Sequence, residues 1–303
     1  MCARMLLPPK GRLVHAYLIL AHKNLDQLPR LIERLDTGAA TFYLHLDRNT
    51  DTAAYKREIH ELSGIPNVHW VKRYRSPWAT FGFVQAQRAG IEAALKMGAP
   101  FTHLTLLTGQ DYPIKPLHEI DLFFDNHQGT SFIWHNLGKT KAEKKKLQRQ
   151  RYRSWHLYFA GKWWMVPPRL LKKVGIKRKI PGGLRPVKGW ASFTLSRECA
   201  EYASEFVKHN PRYVRFFKHT QFPDEYFWHT ILLNSPLENK ITNTNLQYAR
   251  YIPPTGRGAT FGKENLDELK NAASENYFFA KKFDVTVDSD ILDLVDREIL
   301  HIE

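Results

Sequence analysis

Two adjacent carboxylates, Asp224 and Glu225, follow Pro223 within the run Gln221–Ser235 and open a segment whose apolar residues recur at helical spacing. A carboxylate set among aromatic side chains, here Phe222, Tyr226, Phe227 and Trp228, has its pKa raised and suits proton transfer from a hydroxyl. Proline just inside a helix start and acids in the first turn are also the ordinary chemistry of a helix N-terminus. A capped, buried helix accounts for Asp224 more readily than for both acids.

One base, acting on an acceptor hydroxyl, is half of what inverting sugar transfer needs. The other half is positive charge on a departing diphosphate, from a metal or from basic side chains. The basic candidates are Arg250, Arg257, Lys281 and Lys282. Arg257 stands between Gly256 and Gly258, where backbone can approach an anion closely. Lys282 is flanked by Phe278, Phe279 and Phe283, a pattern equally suited to a lysine stem laid over aromatic surface. Asp288-Ser289-Asp290 has metal-ligand spacing but precedes a C-terminal helix, where these residues are ordinary caps. Asp47-Arg48-Asn49 lacks a second acid. His22 and His45 end apolar strands with no partner at ligand spacing and read as turn or core histidines. The expectation is a site with no obligatory metal and no other cofactor. No phosphate-binding Gly-rich loop, Gly-x-Ser-x-Gly elbow or Cys/His zinc spacing occurs.

These residues need a frame. Leu13–Ala21 is a continuous apolar run, as in a strand buried on both faces of a parallel sheet. Asn24 is placed to cap a helix over Leu25–Leu35. Strands are predicted at Thr41–Leu46, Asn67–Val71 and His103–Leu107, with helices at Ala53–Leu62 and Phe83–Met97. This alternation argues for βαβ units in a doubly wound sheet, where ligands sit beyond the carboxyl ends of the strands. His22, Asp47, Arg48, Ser76, Trp78, Gln110 and Asp111 fall at or near those ends. Residues 139–188 are crowded with Lys and Arg, interleaved with Trp155, Tyr158, Trp163 and Trp164. Lys139–Arg153 reads as a solvated helix face or as a nucleic-acid patch with stacking aromatics. Gly189–Ser196 is predicted as one strand, with Ser196 capping a helix over Arg197–Val207. After the Glu225 helix come Leu246–Ile252, a helix near Asn265–Ala272, Tyr277–Asp284 and a final helix from Ser289. Residues 1–303 read as one unit, with a nucleotide-binding half (13–125) and an acceptor and catalytic half (126–303).

Of the 303 residues 43% are hydrophobic and 13% aromatic, which excludes a disordered chain. The formal charge of +15 calls for an anionic partner: nucleic acid, an acidic membrane surface or a phosphorylated substrate. Only two cysteines occur, Cys2 and Cys199, and no apolar stretch reaches the length of a membrane span. The expectation is a soluble cytoplasmic protein, resting at most on the inner face of a membrane.

In order along the chain, six segments resemble the core-2/I-branching enzyme family, glycosyltransferase family 14. It groups β-1,6-N-acetylglucosaminyltransferases with peptide O-xylosyltransferases. The segments are Ala16–His22, Tyr43–Asp47, Leu106–Lys115, Gly189–Arg197, Pro223–Ile231 and Phe279–Asp284. The resemblance implies a GT-A-like, Rossmann-like fold with a mostly parallel twisted sheet, a UDP-sugar donor, inversion and no obligatory metal. It implies that Glu225 is the catalytic base, which leaves Asp224 the capping or supporting role. It gives Lys282 a diphosphate contact, shared with an upstream arginine, Arg257 or Arg250. Ala21, His22 and Asp47 match positions that hold uridine; Asp111 and Ser192 lie in motifs lining the donor or acceptor pocket. Few cysteines point to a bacterial-type member acting on a glycan or lipid-linked glycan, with peripheral contact to an anionic membrane. Trp155, Trp163 and Trp164 offer apolar faces to an acceptor sugar. The implied donor is UDP-N-acetylglucosamine, with UDP-xylose the alternative. In another class altogether, charge and aromatics suit a nucleic-acid-binding protein, whereas the resemblance implies no nucleic-acid partner.

Overall fold

The apolar runs of the N-terminal third become the centre of a parallel sheet. A computed structural model describes residues 14–97, 100–136, 152–175, 178–252 and 257–302. β1 (His15–Ala21), α1 (Leu28–Leu35), β2 (Thr41–Leu46), α2 (Lys56–Ser63), β3 (Val68–Trp70), α3 (Gly82–Lys96) and β4 (His103–Thr108) alternate as predicted. β1 is flanked by β2 and β4, both parallel to it, and every residue of β1 and β2 is buried. Side chains of a strand alternate between faces, so a doubly covered strand feeds two cores. Tyr17, Ile19 and Ala21 join one apolar cluster with Phe42 and Leu44, while Ala16, Leu18 and Leu20 join the other with Tyr43.

Next come β5 (Asp111–Pro113), α4 (Leu117–Asn126), β6 (Ser131–Phe132), β7 (His135–Asn136), β8 (Trp155–Phe159), β9 (Lys162–Val166) and α5 (Pro168–Lys173). They are followed by β10 (Lys188–Gly189), β11 (Thr194–Ser196), α6 (Arg197–His209), α7 (Pro211–Phe217) and α8 (Phe227–Leu232). The chain then forms β12 (Ile241–Thr242), β13 (Gln247–Ala249), β14 (Tyr251–Ile252), β15 (Arg257–Gly258), α9 (Leu266–Ser274), β16 (Phe279–Lys281) and α10 (Asp290–Glu298). The main sheet has the order β12-β6-β11-β4-β1-β2-β3, with β11 antiparallel to both β4 and β6. The result is a mixed α/β fold with a large, mostly parallel sheet.

Four local expectations differ from the structure. Asn24 does not cap a helix: its backbone is left-handed (φ 51°), and its amide donates to Asp284 Oδ1 at 2.6 Å. A long-range carboxylate has taken the side chain that the local pattern assigned to a cap. Gly189–Ser196 is two short strands in different sheets, β10 paired with β7 and β11 with β4. Leu246–Ile252 likewise divides between β13, which pairs with β16, and β14, which pairs with β15. Asp224 and Glu225 lie on a separate 3-10 turn, Pro223–Glu225, broken from α8 at Tyr226 (φ −128°). Ser196, by contrast, caps α6 as read, accepting from Cys199 N–H at 3.4 Å. Most of the basic run Lys139–Arg153 lies outside the described residues, as does the loop 253–256.

A three-stranded sheet, β13-β16-β5, carries the C-terminal Phe279–Asp284 segment back to the chain leaving β4. Lys281 there pairs with Asp111. This return sets basic residues of the second half against the strand ends of the first.

Candidate active site

The ends of β1 and β2 form one wall. Asp47 N–H donates to the Ala21 carbonyl at 2.8 Å, so the two strand ends stay together. Asp47 is buried, and its carboxylate accepts from Asn49 N–H (2.7 Å), Ser76 N–H (2.8 Å) and the Ser76 hydroxyl (2.5 Å). Burial pushes its pKa up, but these hydrogen bonds outweigh burial and hold it below the ordinary value. Asp47 thus shapes the loop from Asp47 to Ser76, which Arg73 also ties through the carbonyls of Leu46, Asp47 and Thr50. His22 reaches the surface beside it, its pKa lowered by desolvation from the crowded strand ends and by Lys23. Asp47, Lys282 and Asp284 also act on His22, which brings the strand ends against the segment after β16. His45 is a core histidine: its Nε2 accepts from Tyr74 N–H at 3.0 Å, and burial pushes its pKa down to about 4.

Asp284 is the knot of this region. Its carboxylate accepts from Lys23 (2.5 Å), Asn24 (2.6 Å), Gln110 (3.2 Å) and the Thr286 hydroxyl (2.6 Å). Burial raises its pKa, yet these donors carry it down to about 2, from an ordinary 3.8. A depressed carboxylate contributes stability above its unfolded pKa and loses it as pH falls through the folded pKa. Asp284→Asn is therefore expected to destabilise the protein by about 2–3 kcal/mol at neutral pH, read by urea unfolding. That deficit should shrink as pH falls from about 4 to about 2, because the wild type loses the same contribution there.

Lys282 stands over this knot. Burial lowers its pKa first, and the neighbouring ammonium groups of Lys281 and Lys23 lower it further against Asp111 and Asp284. Lys281 is occupied, donating to the Ser192 hydroxyl at 2.6 Å. Among the described residues, no carboxylate comes within salt-bridge distance of the Lys282 ammonium. Asp111 is fully buried; burial raises its pKa, against the opposing pull of Lys281 and of Thr108, whose N–H and hydroxyl bind Oδ2 at 2.6 and 2.5 Å. An exposed ammonium with two cationic neighbours and a partly desolvated stem has its charge disfavoured by its surroundings, as anion sites require.

Gly258 explains how β15 reaches this lysine. A Cβ there would sit 3.1 Å from Lys282 Cε, so glycine lets the β14–β15 backbone lie on the lysine stem. The Arg257 side chain lies outside the described part of the structure. Arg250 points its guanidinium at Glu268, 3.7 Å away.

The acid turn faces the same hairpin. Glu225 is partly exposed, and Lys188 Nζ lies 3.3 Å from its Oε2. Its charge also acts on the phenol of Tyr251, whose pKa is raised by burial and by Glu225. Tyr251 pairs with Gly258 across the hairpin, so one short ribbon links Glu225 to Lys282. Gly189 sets Lys188 in place: a Cβ there would lie 2.1 Å from the His229 ring and 2.3 Å from the Trp134 carbonyl. Trp134, Trp190 and Tyr251 follow one another at 5.5 and 5.7 Å between ring centres, forming an aromatic wall beside the pair. The aromatic surroundings expected for Glu225 are arranged differently. Tyr226, Phe227 and Trp228 are buried in the core, where Trp228 donates to Gln87 at 2.7 Å, and they anchor the turn from behind. Asp224 is buried within the turn, whose N-cap is Phe222, held left-handed (φ 51°) by its N–H bond to Ala79.

The structure therefore gathers Ala21, His22, Asp47, Asp111, Ser192, Lys281 and Lys282 on one side and Glu225 on the other, joined by β14–β15. Trp163 and Trp164 lie on the β8–β9 ribbon; Trp163 meets the rings of His156 and Tyr158, and Trp164 stands 63% exposed. Asp288 has the capping role: it accepts from the N–H groups of Lys263, Asp290 and Ile291. Among the described residues no three His, Cys, Asp or Glu side chains cluster as metal ligands would. Lys188, Lys23, Asp284 and the Trp134–Trp190–Tyr251 wall were not singled out from the sequence as parts of the site. Only the position of Asp284 at the end of the last matching segment signalled any of them.

The Core-2/I-Branching enzyme family profile matches residues 15–270. Xylosyltransferase oxt of Drosophila melanogaster is 24% identical over 298 residues, covering 91% of this chain and 32% of the fly protein. Beta-1,3-galactosyl-O-glycosyl-glycoprotein beta-1,6-N-acetylglucosaminyltransferase of Bos taurus is 24% identical over 314 residues, 94% of this chain and 69% of the bovine one. Human xylosyltransferase 2 is 25% identical over 303 residues, 93% of this chain and 33% of its own. The chain spans about a third of the length of the xylosyltransferases it matches. Among solved structures, UDP-N-acetylglucosamine pyrophosphorylase from Trypanosoma brucei overlaps with a TM-score of 0.33 and 12% identity, over 66% of this chain and 50% of that one. That overlap is too loose to bear on the fold.

Proposed function

The chain belongs to the core-2/I-branching enzyme family, and from that premise we propose that it is an inverting glycosyltransferase using a UDP-sugar. The fold is read as GT-A-like. Glu225 takes the proton of an acceptor hydroxyl, whose oxygen attacks the anomeric carbon in line. The bond from that carbon to the diphosphate oxygen breaks, and the electron pair leaves on UDP. Lys282 offsets the developing charge, with an arginine of the β14–β15 hairpin region, Arg257 or Arg250, sharing the work. No metal is required in this scheme. The observation that carries the reading is the link from Glu225 through Tyr251 and Gly258 to Lys282, beside the ends of β1 and β2. The proposed base and the proposed diphosphate-holding cation each neighbour one member of the cross-strand pair Tyr251–Gly258.

UDP-N-acetylglucosamine is the donor proposed first and UDP-xylose second, because relatives named for both activities match the chain. The acceptor is a glycan or lipid-linked glycan. UDP release from a panel of UDP-sugars, with chelator in excess, tests donor and metal independence together. Release from one sugar, undiminished by chelator, is expected; release restored only by Mn²⁺ would overturn the metal-free scheme. Stabilisation by UDP and not by an oligonucleotide is also expected in thermal shift, since a ligand bound only to the folded state raises its stability. The reverse would favour a nucleic-acid-binding protein.

The depressed pKa of Lys282 gives a pH signature. UDP binding to an ammonium falls once that ammonium deprotonates, so affinity should decline on the alkaline side below the ordinary lysine value of 10.5. Lys282→Arg, which stays charged, should remove that decline in a calorimetric titration of UDP against pH.

A further inference from the structure

Among the described residues, seven of the fourteen exposed large apolar side chains fall between residues 157 and 174. They include Phe159 (76% exposed), Trp164 (63%) and Met165 (58%) on the β8–β9 ribbon, and Leu170 and Val174 in and just after α5. A two-stranded ribbon is marginal in water by itself. This one is secured at its base, where His156 N–H donates to the His219 carbonyl at 3.0 Å and the Trp155 ring lies 4.9 Å from that of His219. Its tip turns through Ala160 and Gly161, both left-handed, the geometry of a tight two-residue hairpin. On one face of the tip Leu157 opposes Trp164, and Phe159 opposes Lys162.

Charge decides what covers this surface. Lys162, Arg169, Lys172 and Lys173 are all exposed around the apolar side chains. No Asp or Glu occurs anywhere from Lys144 to Arg197. A second copy of the chain would set these cations face to face, which is repulsive. A nucleic acid would satisfy the cations and offer stacking to Trp164, but it has no apolar surface for Phe159, Met165, Leu170 and Val174. The headgroup region of an anionic bilayer satisfies both: apolar and aromatic side chains enter the acyl boundary while lysines reach lipid phosphates. We infer that the β8–β9 ribbon and α5 form a peripheral docking element for an anionic lipid bilayer. This surface is independent of the proposed reaction, and its test needs no activity.

The test is sedimentation of the full chain with vesicles of phosphatidylcholine, with or without phosphatidylglycerol. The wild type is expected to bind only the anionic vesicles, and to release in high salt, where the Debye length is about 3 Å at 1 M. Phe159→Ser/Met165→Ser removes apolar surface, and Lys172→Glu/Lys173→Glu reverses charge on α5. Each pair is expected to weaken vesicle binding about tenfold or more, with the melting temperature kept. Equal binding to both vesicle types would overturn the inference, as would wild-type binding by both variants. A concentration-dependent dimer abolished by the serine pair would reassign the ribbon to self-association. Oligonucleotide binding lost in both variants, without vesicle binding, would reassign it to nucleic acid.

Discussion

Glu225→Gln is expected to lower UDP-release turnover at least about 100-fold while UDP binds as tightly as to the wild type. The substitution is nearly isosteric and removes only the ability to accept a proton. Glu225 is partly exposed and its carboxylate faces the Lys188 ammonium, 3.3 Å away, on the open side of the turn. The aromatic residues that fix the turn, Tyr226 to Trp228, are buried behind it and are untouched. The loss should therefore appear in turnover and not in melting temperature or UDP affinity. Lys188→Met offers the complementary readout. It removes the ammonium 3.3 Å from the carboxylate, which then turns more freely, so turnover should fall while UDP affinity is kept.

The second large effect is expected at Lys282. Truncating a cation that meets an anionic ligand costs about 2–4 kcal/mol, which is roughly 30- to 700-fold in UDP affinity. The apo protein should respond in the opposite direction. The lysine stem is partly desolvated, and Lys281 and Lys23 repel its ammonium more than Asp111 and Asp284 attract it. Lys282→Met is therefore expected to raise the melting temperature of the ligand-free protein while UDP binding is lost, the trade-off expected where a site is held against its own stability. A residue of purely structural importance would lose both together. Gly258 supplies a related check without touching charge. Its missing Cβ leaves room for the lysine stem, so Gly258→Val should weaken UDP binding by displacing Lys282.

The parts of this fold legible in the sequence are those set by local chemistry. Thr41–Leu46 reads as a strand from six residues, and its observed bounds are the same. Ser196 reads as a cap because a hydroxyl before a helical pattern has one obvious use, and it has that use here. Asn24 shows the limit. Its local pattern is that of a cap, yet Asp284, 260 positions away, takes the amide. The interruption of Gly189–Ser196 has a similar cause, since Gly189 is packed under His229 and the Trp134 backbone and pairs outside the main sheet.

The candidate site follows the same division. Its residue types and their order are visible as segments, and the ends of β1, β2 and β4 are where a doubly wound sheet collects ligands. The Glu225–Lys188 pair, the return of β16 to Asp111 and the fourfold engagement of Asp284 are contacts between distant parts of the chain, with no periodicity to announce them. Trp163 and Trp164 show what composition leaves open about place. Aromatics amid lysines suit a sugar platform or a nucleic-acid patch equally well in sequence. In the fold they stand on a ribbon whose exposed face bears cations and apolar side chains together.

The division of labour between Glu225 and Lys282 is the central claim, and calorimetric titration of UDP into three proteins tests it most directly. The wild type and Glu225→Gln should bind UDP with the same Kd, and Lys282→Ala should bind at least about 30-fold more weakly. Absence of UDP binding to the wild type, or equal weakening in both variants, would contradict the account.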